Sequence, residues 1–211
     1  MGTVVAFVSQ KGGVGKSTLA RAMAREAAAG GLSVKLADLD TQQGTSLDWQ
    51  RARLAAGIEP MVSVEPFGNA AQALKAATAY DLMIIDGPAR TSAATLEIAK
   101  AAGLVVQPSG PSLDDLRPAV REFHALVKAG IPAGRLTFAL NHIGTDAEEA
   151  DARAFLEEAG YFVLTGYLPE RPAYRRAQNA GHSVTETKFA GLNARADALM
   201  QALVEKVNAD G

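Results

Sequence analysis

VVAFVSQKGGVGKSTLARAMA, residues Val4 to Ala24, passes from an unbroken apolar run through a glycine cluster into an alanine-rich segment. The apolar run, Thr3 to Ser9, does not alternate and is rich in β-branched residues, the pattern of a strand buried on both faces. From Ser17 to Ala29 the apolar residues fall at helical spacing, and Gly30-Gly31 stops the helix. Strand, glycine-rich turn and helix together form the context of a phosphate-binding loop. Backbone N–H groups from Gly12, Gly13, Val14, Gly15, Lys16 and Ser17 can converge on phosphate oxygens, because glycine permits the φ angles and the close approach. The helix directs its positive end at the same anion. Lys16 can reach the β and γ phosphates, Ser17 can offer its hydroxyl to Mg²⁺, and Thr18 can support the phosphates. The usual spacing is GxxxxGK[ST], and here Gln10 replaces the first glycine. A glycine turn with a surface lysine is the alternative, and the placement between a buried strand and a helix argues against it.

Outward from this stretch, short apolar runs recur at residues 33–39, 82–87, 103–108, 135–141 and 161–168, with a weaker one at 61–66. Helical patterns fill the intervals: Thr45 to Ala56, Ala70 to Ala79, Ser92 to Ala102, Leu113 to Ala129, Ala147 to Ala159 and Phe189 to Val207. Alternating strands and helices predict an α/β fold with a mostly parallel central sheet and helices on both faces. No repeat or linker interrupts the pattern, so one domain over residues 1–211 is expected. The last helix places Leu192, Ala196, Leu199, Leu203 and Val207 on one face. A membrane-surface helix shares that spacing but needs a Lys/Arg-rich polar face, and this one ends EKVNADG, so docking on the sheet is expected.

Composition excludes several classes. The 211 residues contain no cysteine, which rules out disulfide frameworks, thiolate zinc sites, iron–sulfur clusters and a cysteine nucleophile. The formal net charge of -2 gives no global signature of a nucleic-acid binder, so any such contact must be a local patch. No segment reaches the roughly 20 apolar residues of a membrane span, and the N-terminal run is too short for a signal peptide. A cytoplasmic protein without a membrane partner is expected.

Two carboxylate clusters complete a candidate site. LADLDTQQGTSLDW puts Asp38 and Asp40 at the carboxyl end of the second strand, where open α/β sheets bind ligands. Spaced by two, they share one face of an extended chain; one can hold a Mg²⁺-bound water and the other can orient an attacking water. The alternative is a capping role at the helix that opens near Thr45 or Ser46. YDLMIIDGPAR is an apolar strand ending in Asp86, which can hold Mg²⁺ beside the phosphate loop. Gly87 and Pro88 would begin a segment that senses the γ-phosphate.

The loop KGGVGKST resembles the motif KGGxGK[ST] of the deviant-Walker, or signature-lysine, P-loop ATPases, the superfamily of ParA and MinD. The resemblance implies the P-loop NTPase fold, ATP and ADP with Mg²⁺ as ligands, and slow hydrolysis. It also gives Lys11 a role: the first lysine of that motif crosses a dimer interface to the phosphates bound by the partner. Such a lysine couples nucleotide binding to homodimerisation and supplies positive charge to the transition state, as an arginine finger does. The family's hydrolytic aspartate aligns with Asp40, leaving Asp38 in support. Thr41 stands where the family has proline, while Gln42 is kept.

Three later stretches resemble the small ParA-type partition ATPases in particular, extending the likeness from Val4 to about Val207. VVQPSGPSLDDL matches at Pro108, Ser109 and Asp115; LNHI puts Asn141 where relatives read the adenine edge; LPERPAYRRAQNAGHSVTE places Pro169 in a loop near the base. The resemblance implies a dimer that binds DNA without sequence preference in the ATP state, with Arg171, Arg175 and Arg176 as candidate contacts and Lys188 and Arg195 as further ones. A solvated charged surface is the alternative for each. Stimulation by a ParB-type or other cargo adaptor, nucleoid association, and movement of a plasmid, chromosome region or protein assembly follow from the same likeness. Larger relatives carry an N-terminal helix-turn-helix domain, which is not expected here because the first strand begins almost at Met1. Two other readings keep the fold: a metabolic enzyme that activates a carboxylate with ATP, as dethiobiotin synthetases do, and a Min-type positioning ATPase. The first should lack Lys11, and the second should carry a basic membrane helix.

Overall fold

The computed structural model describes residues 2–40, 44–88 and 92–210. Each apolar run becomes a strand: β1 (Thr3–Phe7), β2 (Val34–Asp38), β3 (Ser63–Pro66), β4 (Leu82–Asp86), β5 (Leu104–Ser109), β6 (Leu136–Ile143) and β7 (Phe162–Pro169). They form one sheet in the order β3-β2-β4-β1-β5-β6-β7. Every pairing is parallel, so a mostly parallel sheet was an understatement. The helices among the described residues are α1 (Lys16–Ala29), α2 (Thr45–Ala55), α3 (Ala70–Ala76), α4 (Ser92–Ala101), α5 (Leu113–Lys128), α6 (Asp146–Glu158), α7 (Pro172–Asn179) and α8 (Ala190–Asp210). The expected helix at 70–79 stops at Ala76 and adds one 3-10 turn, Ala77–Ala79. Helix α7 escaped the periodicity reading. It is eight residues long and buries only Ala173 and Tyr174, too few apolar positions to display a period.

Side chains alternate along each strand and divide between two cores. Val5, Phe7, Leu36, Leu82, Ile84 and Leu104 face one way and pack with Leu19 of α1, Trp49 of α2 and Leu199 and Leu203 of α8. Ala6, Val8, Met83, Ile85, Val105 and Phe138 face the other way and meet Ile98 of α4, Phe123 of α5 and Leu156 of α6. Helices cover both faces, which is why these strands carry no polar alternation. Each fully buried Phe, Leu or Ile contributes about 1.5–3 kcal/mol. Helix α8 buries Ala196, Leu199, Met200 and Leu203 in this way, so its apolar face belongs to the core. Among the described residues, no helix is long and apolar enough to cross a membrane.

Parallel pairing brings the carboxyl ends of all strands to one edge. Phe7 is level with Asp86, and Asp86 is level with Asp38, so the last residues of β1, β4 and β2 stand side by side. The phosphate loop leaves β1 at this point, between β4 and β5, where the chain's crossovers reverse direction along the sheet.

A buried clamp fastens α2 to the segment between α7 and α8. The Arg53 side chain is 1% exposed, and its guanidinium donates to both oxygens of Glu186 at 2.7 and 3.0 Å, to Gly181 O at 3.1 Å and to Pro60 O at 2.9 Å. Glu186→Ala leaves that guanidinium buried without its counter-charge, so thermal or urea unfolding should show a loss of about 3–5 kcal/mol. Burial pushes the Glu186 carboxyl up, but the Arg53 hydrogen bonds, the Ser183 N–H and the charges of Arg53 and Arg25 outweigh it, and the net shift is downward from 4.5. A depressed carboxyl stabilises the fold above its unfolded pKa and loses that contribution as pH falls through the folded value. Glu186→Gln should therefore flatten the fall in stability below about pH 4.5 that the native chain shows.

Candidate functional site

The loop after β1 turns sharply and opens α1 at Lys16. Gly15 is left-handed at φ 105°, and a Cβ there would lie 1.9 Å from Asn141 Nδ2, so only glycine fits. Gly12, Gly13, Gly15, Lys16, Ser17 and Thr18 line a cavity of about 360 Å³, together with Arg21, Asp40 and His142. Lys16 is 8% exposed. Burial lowers its pKa, while the carboxylates of Asp86, Asp40 and Glu122 act in the opposite direction. A buried ammonium with three carboxylates around it is a cation awaiting a polyanion.

Two of the carboxylates have different tasks. Asp38 is 1% exposed, and both its oxygens accept backbone N–H groups: Oδ1 from Asp40 at 3.0 Å and Oδ2 from Ser46 at 3.1 Å. It thereby fastens the two ends of the segment that contains Thr41 and Gln42, which lie outside the described residues. Burial pushes the Asp38 carboxyl upward even so. Asp40 lines the cavity, and its charge opposes the burial that lowers the Lys16 pKa.

Asp86 sits at the end of β4, 1% exposed. Its Oδ2 accepts from Ser46 Oγ at 2.9 Å, and its Oδ1 is buried with no hydrogen-bond partner. The Ser17 hydroxyl comes close enough to counter burial but stays outside hydrogen-bond geometry with Oδ1. A free buried carboxylate oxygen beside a serine hydroxyl is a donor set for Mg²⁺, a hard cation that takes one or two protein oxygens with substrate phosphates. No cluster of three metal-ligating His, Cys, Asp or Glu side chains exists among the described residues. Burial raises the Asp86 carboxyl to about 6, helped by the charge of Asp38 and opposed by Ser17, Ser46 and Arg21. A raised carboxyl costs stability once ionised. The ligand-free fold therefore keeps the full contribution below the unfolded pKa and loses it as pH rises through about 6. Asp86→Asn should melt higher than the native chain at pH 7 without ligand, by up to about 3 kcal/mol at 1.36 kcal/mol per pKa unit. The fall in stability that Asp86 contributes as pH rises through about 6 should be absent from its pH profile. The same variant should gain nothing from Mg²⁺ with ADP.

Sequence reasoning missed a polar network below the cavity. Ser46 is fully buried and joins Asp38, Asp86 and Arg21, whose Nε donates to Ser46 Oγ at 3.1 Å. Arg21 NH1 also donates to Gln178 Oε1 at 3.2 Å, and Gln178 Nε2 donates to Thr18 Oγ1 at 3.2 Å, which ties α7 to the phosphate loop. Arg21 is 8% exposed in an alanine-rich helix five residues after Lys16. A charge on the otherwise small, core-facing side of α1 was the available signal.

Lys11 does not line the cavity formed by its own loop. Its side chain is 44% exposed and pairs with the Asp115 carboxylate and the Asp114 carbonyl at the start of α5. Asn141, 4% exposed, donates from Nδ2 to Val14 O at 2.8 Å. With Pro169, Thr18, Tyr174 and Gln178 it also lines a second cavity of about 60 Å³, and Thr18, His142, Arg175 and Gln178 border both cavities.

The arginines separate. Arg171 is the N-cap residue of α7 and donates to Glu170 O at 2.9 Å. It borders a cavity that it shares with Tyr167 and Arg195, and the Arg195 guanidinium lies 5.2 Å over the Tyr167 ring. Arg175 is also exposed; it borders the phosphate-loop cavity and pairs with Glu170. Arg176 and Lys188 are exposed. Arg171 and Arg175 both border the smaller cavity beside Asn141 and Pro169.

The CobQ/CobB/MinD/ParA nucleotide binding domain family matches residues 5–184. Maintenance of carboxysome distribution protein A from Gloeobacter kilaueensis is 29% identical over 209 residues, 98% of this chain and 94% of that protein. The septum site-determining protein MinD of Pyrococcus horikoshii, solved with Mg-ADP, has a TM-score of 0.75 at 17% identity, covering 100% of this chain and 99% of that one. McdA of Cyanothece, solved with ATP, has a TM-score of 0.72 at 17% identity, covering 96% of each chain. The two structural likenesses establish a common fold.

Proposed function

The chain belongs to the CobQ/CobB/MinD/ParA family of nucleotide-binding domains, and from that premise we propose that it is a ParA-type ATPase that positions a cargo. Residues 1–211 act as one domain. The ligand is ATP with Mg²⁺, and the product is ADP with phosphate. Lys16 and the loop N–H groups hold the phosphates, and the Ser17 hydroxyl and Asp86 Oδ1 are the oxygens offered to Mg²⁺. Held by these two oxygens, Mg²⁺ would supply positive charge against the charge that develops on the phosphates. Asp40 orients the water that displaces ADP from the γ-phosphorus. Asp38 supports that step by holding both ends of the Asp40 segment. Asn141 and Pro169 border the space for the base.

The observation that carries this reading is Lys11. It sits in the phosphate loop yet leaves its own cavity and stands exposed at the rim. Reaching a second protomer's phosphates from there makes ATP binding and dimerisation one event. A synthase that activates a carboxylate, the alternative within the same family, has no use for such a lysine. The ATP dimer binds DNA through exposed cations, with Arg171 and Arg176 the first candidates and Lys188 and Arg195 beside them. Arg175, exposed yet paired with Glu170 beside the nucleotide cavity, is a further candidate. An adaptor protein on the cargo stimulates hydrolysis and releases the dimer from cytoplasmic nucleoid DNA. The named relative suggests a protein assembly as cargo.

Molecular mass and co-sedimentation with random-sequence DNA, read in ADP and in a non-hydrolysable ATP analogue, test the proposal. A dimer that carries DNA down only with the analogue supports it, with affinity falling steeply as salt rises. Binding of nucleotide without DNA in either state removes the DNA-based reading and leaves a nucleotide switch.

A further inference from the structure

His142 is the one non-glycine residue with positive φ among the described residues, at 58°. It lies near the carboxyl end of β6, and the register with β7 breaks between Leu140 and Ile143. Extended strands send neighbouring side chains to opposite faces. Here the left-handed turn brings two consecutive side chains to the same target. Asn141 Nδ2 donates to Val14 O at 2.8 Å, and His142 Nε2 meets Gly13 O at 3.1 Å. Histidine tolerates the left-handed region better than most side chains, but the conformation still has a cost that the surroundings must offset.

The two captured carbonyls are consecutive in the phosphate loop. A trans peptide points its C=O and its N–H in opposite directions. Fixing the carbonyl of Gly13 outward therefore aims the N–H of Val14 inward, and fixing the carbonyl of Val14 aims the N–H of Gly15. We propose that His142 is a positioning residue for nucleotide: with Asn141 it holds two successive peptides of the phosphate loop so that their N–H groups face the phosphates before ligand arrives. The ring is itself held, because Nδ1 pairs with the Glu170 carboxylate, and Glu170 also pairs with Arg175 of α7. The αL turn and the broken register thus serve one purpose, the re-aiming that bulges provide beside sites.

This inference rests on the nucleotide reading above. His142→Gly tests it, since glycine keeps the backbone turn and removes only the ring. The ligand-free variant should keep a cooperative thermal transition, which shows that it folds. Its affinity for a Mg²⁺-loaded, non-hydrolysable ATP analogue should fall about ten-fold, the worth of one hydrogen bond that orders a charged ligand. In ¹⁵N-labelled protein, the ligand-induced shift of the Val14 amide should be lost while that of Gly15, held by Asn141, persists. Native-like affinity of His142→Gly, or an unchanged Val14 response, overturns the role of His142. Failure of the native chain to bind the analogue overturns the nucleotide reading itself, and the inference with it.

Discussion

Lys16→Ala should lower affinity for ATP by about two orders of magnitude, read by calorimetric titration of the purified chain. The ammonium is buried at the floor of the phosphate cavity, and no other lysine lines that cavity. Its removal does more than delete one contact. Asp86, Asp40 and Glu122 all act on this cation, and without it they repel the phosphates. Truncating one member of a buried, hydrogen-bonded charge pair costs about 2–5 kcal/mol, and each 1.4 kcal/mol is tenfold in affinity. Lys11→Ala should behave differently in the same titration. That side chain lies outside the cavity of its own protomer, so affinity measured on the monomer should stay within a few-fold of native.

Asp40→Asn should leave ATP affinity nearly unchanged and reduce stimulated turnover by about 10²–10⁴-fold, the contribution of a positioned acid–base group. Its side chain reaches the cavity, in contrast to Asp38, whose two oxygens are engaged by backbone N–H groups. Asp38→Asn should therefore move binding and turnover together, because it releases the ends of the segment that presents Asp40. Phosphate release at saturating ATP separates the two aspartates: an effect on turnover alone at Asp40, and a joint effect at Asp38.

The strands were legible because each is buried on both faces and is therefore an unbroken apolar run, as in LMIID of β4. The phosphate loop was legible because its chemistry is local: glycines, Lys16 and Ser17 act within one turn of chain. What could not be read depends on contacts between distant segments. Ser46 is an ordinary helix-opening residue until β2 and β4 stand level and bring Asp38 and Asp86 to it. His142 lies one residue past the strand expected at 135–141, and only the fold shows its ring on Gly13, 129 positions away. Arg175 is the surface cation it was read as, but nothing local reveals its pairing with Glu170 beside the cavity. Helix α7 hid for another reason: its start was signalled by Pro172 at the first position, but its length gave periodicity nothing to work on.

The central claim is that Lys11 acts on the nucleotide of a partner protomer. Mixing Lys11→Ala with Asp40→Asn, each inactive alone in adaptor- and DNA-stimulated phosphate release, tests it directly. Both variants keep Lys16 and bind ATP. In a mixed dimer, the Lys11→Ala protomer has its own Asp40 and receives Lys11 from its partner, which completes one site. The account predicts that hydrolysis reappears on mixing and peaks near equal amounts of the two chains. Activity that stays at the level of the separate variants at every ratio would contradict it and return Lys11 to its own protomer.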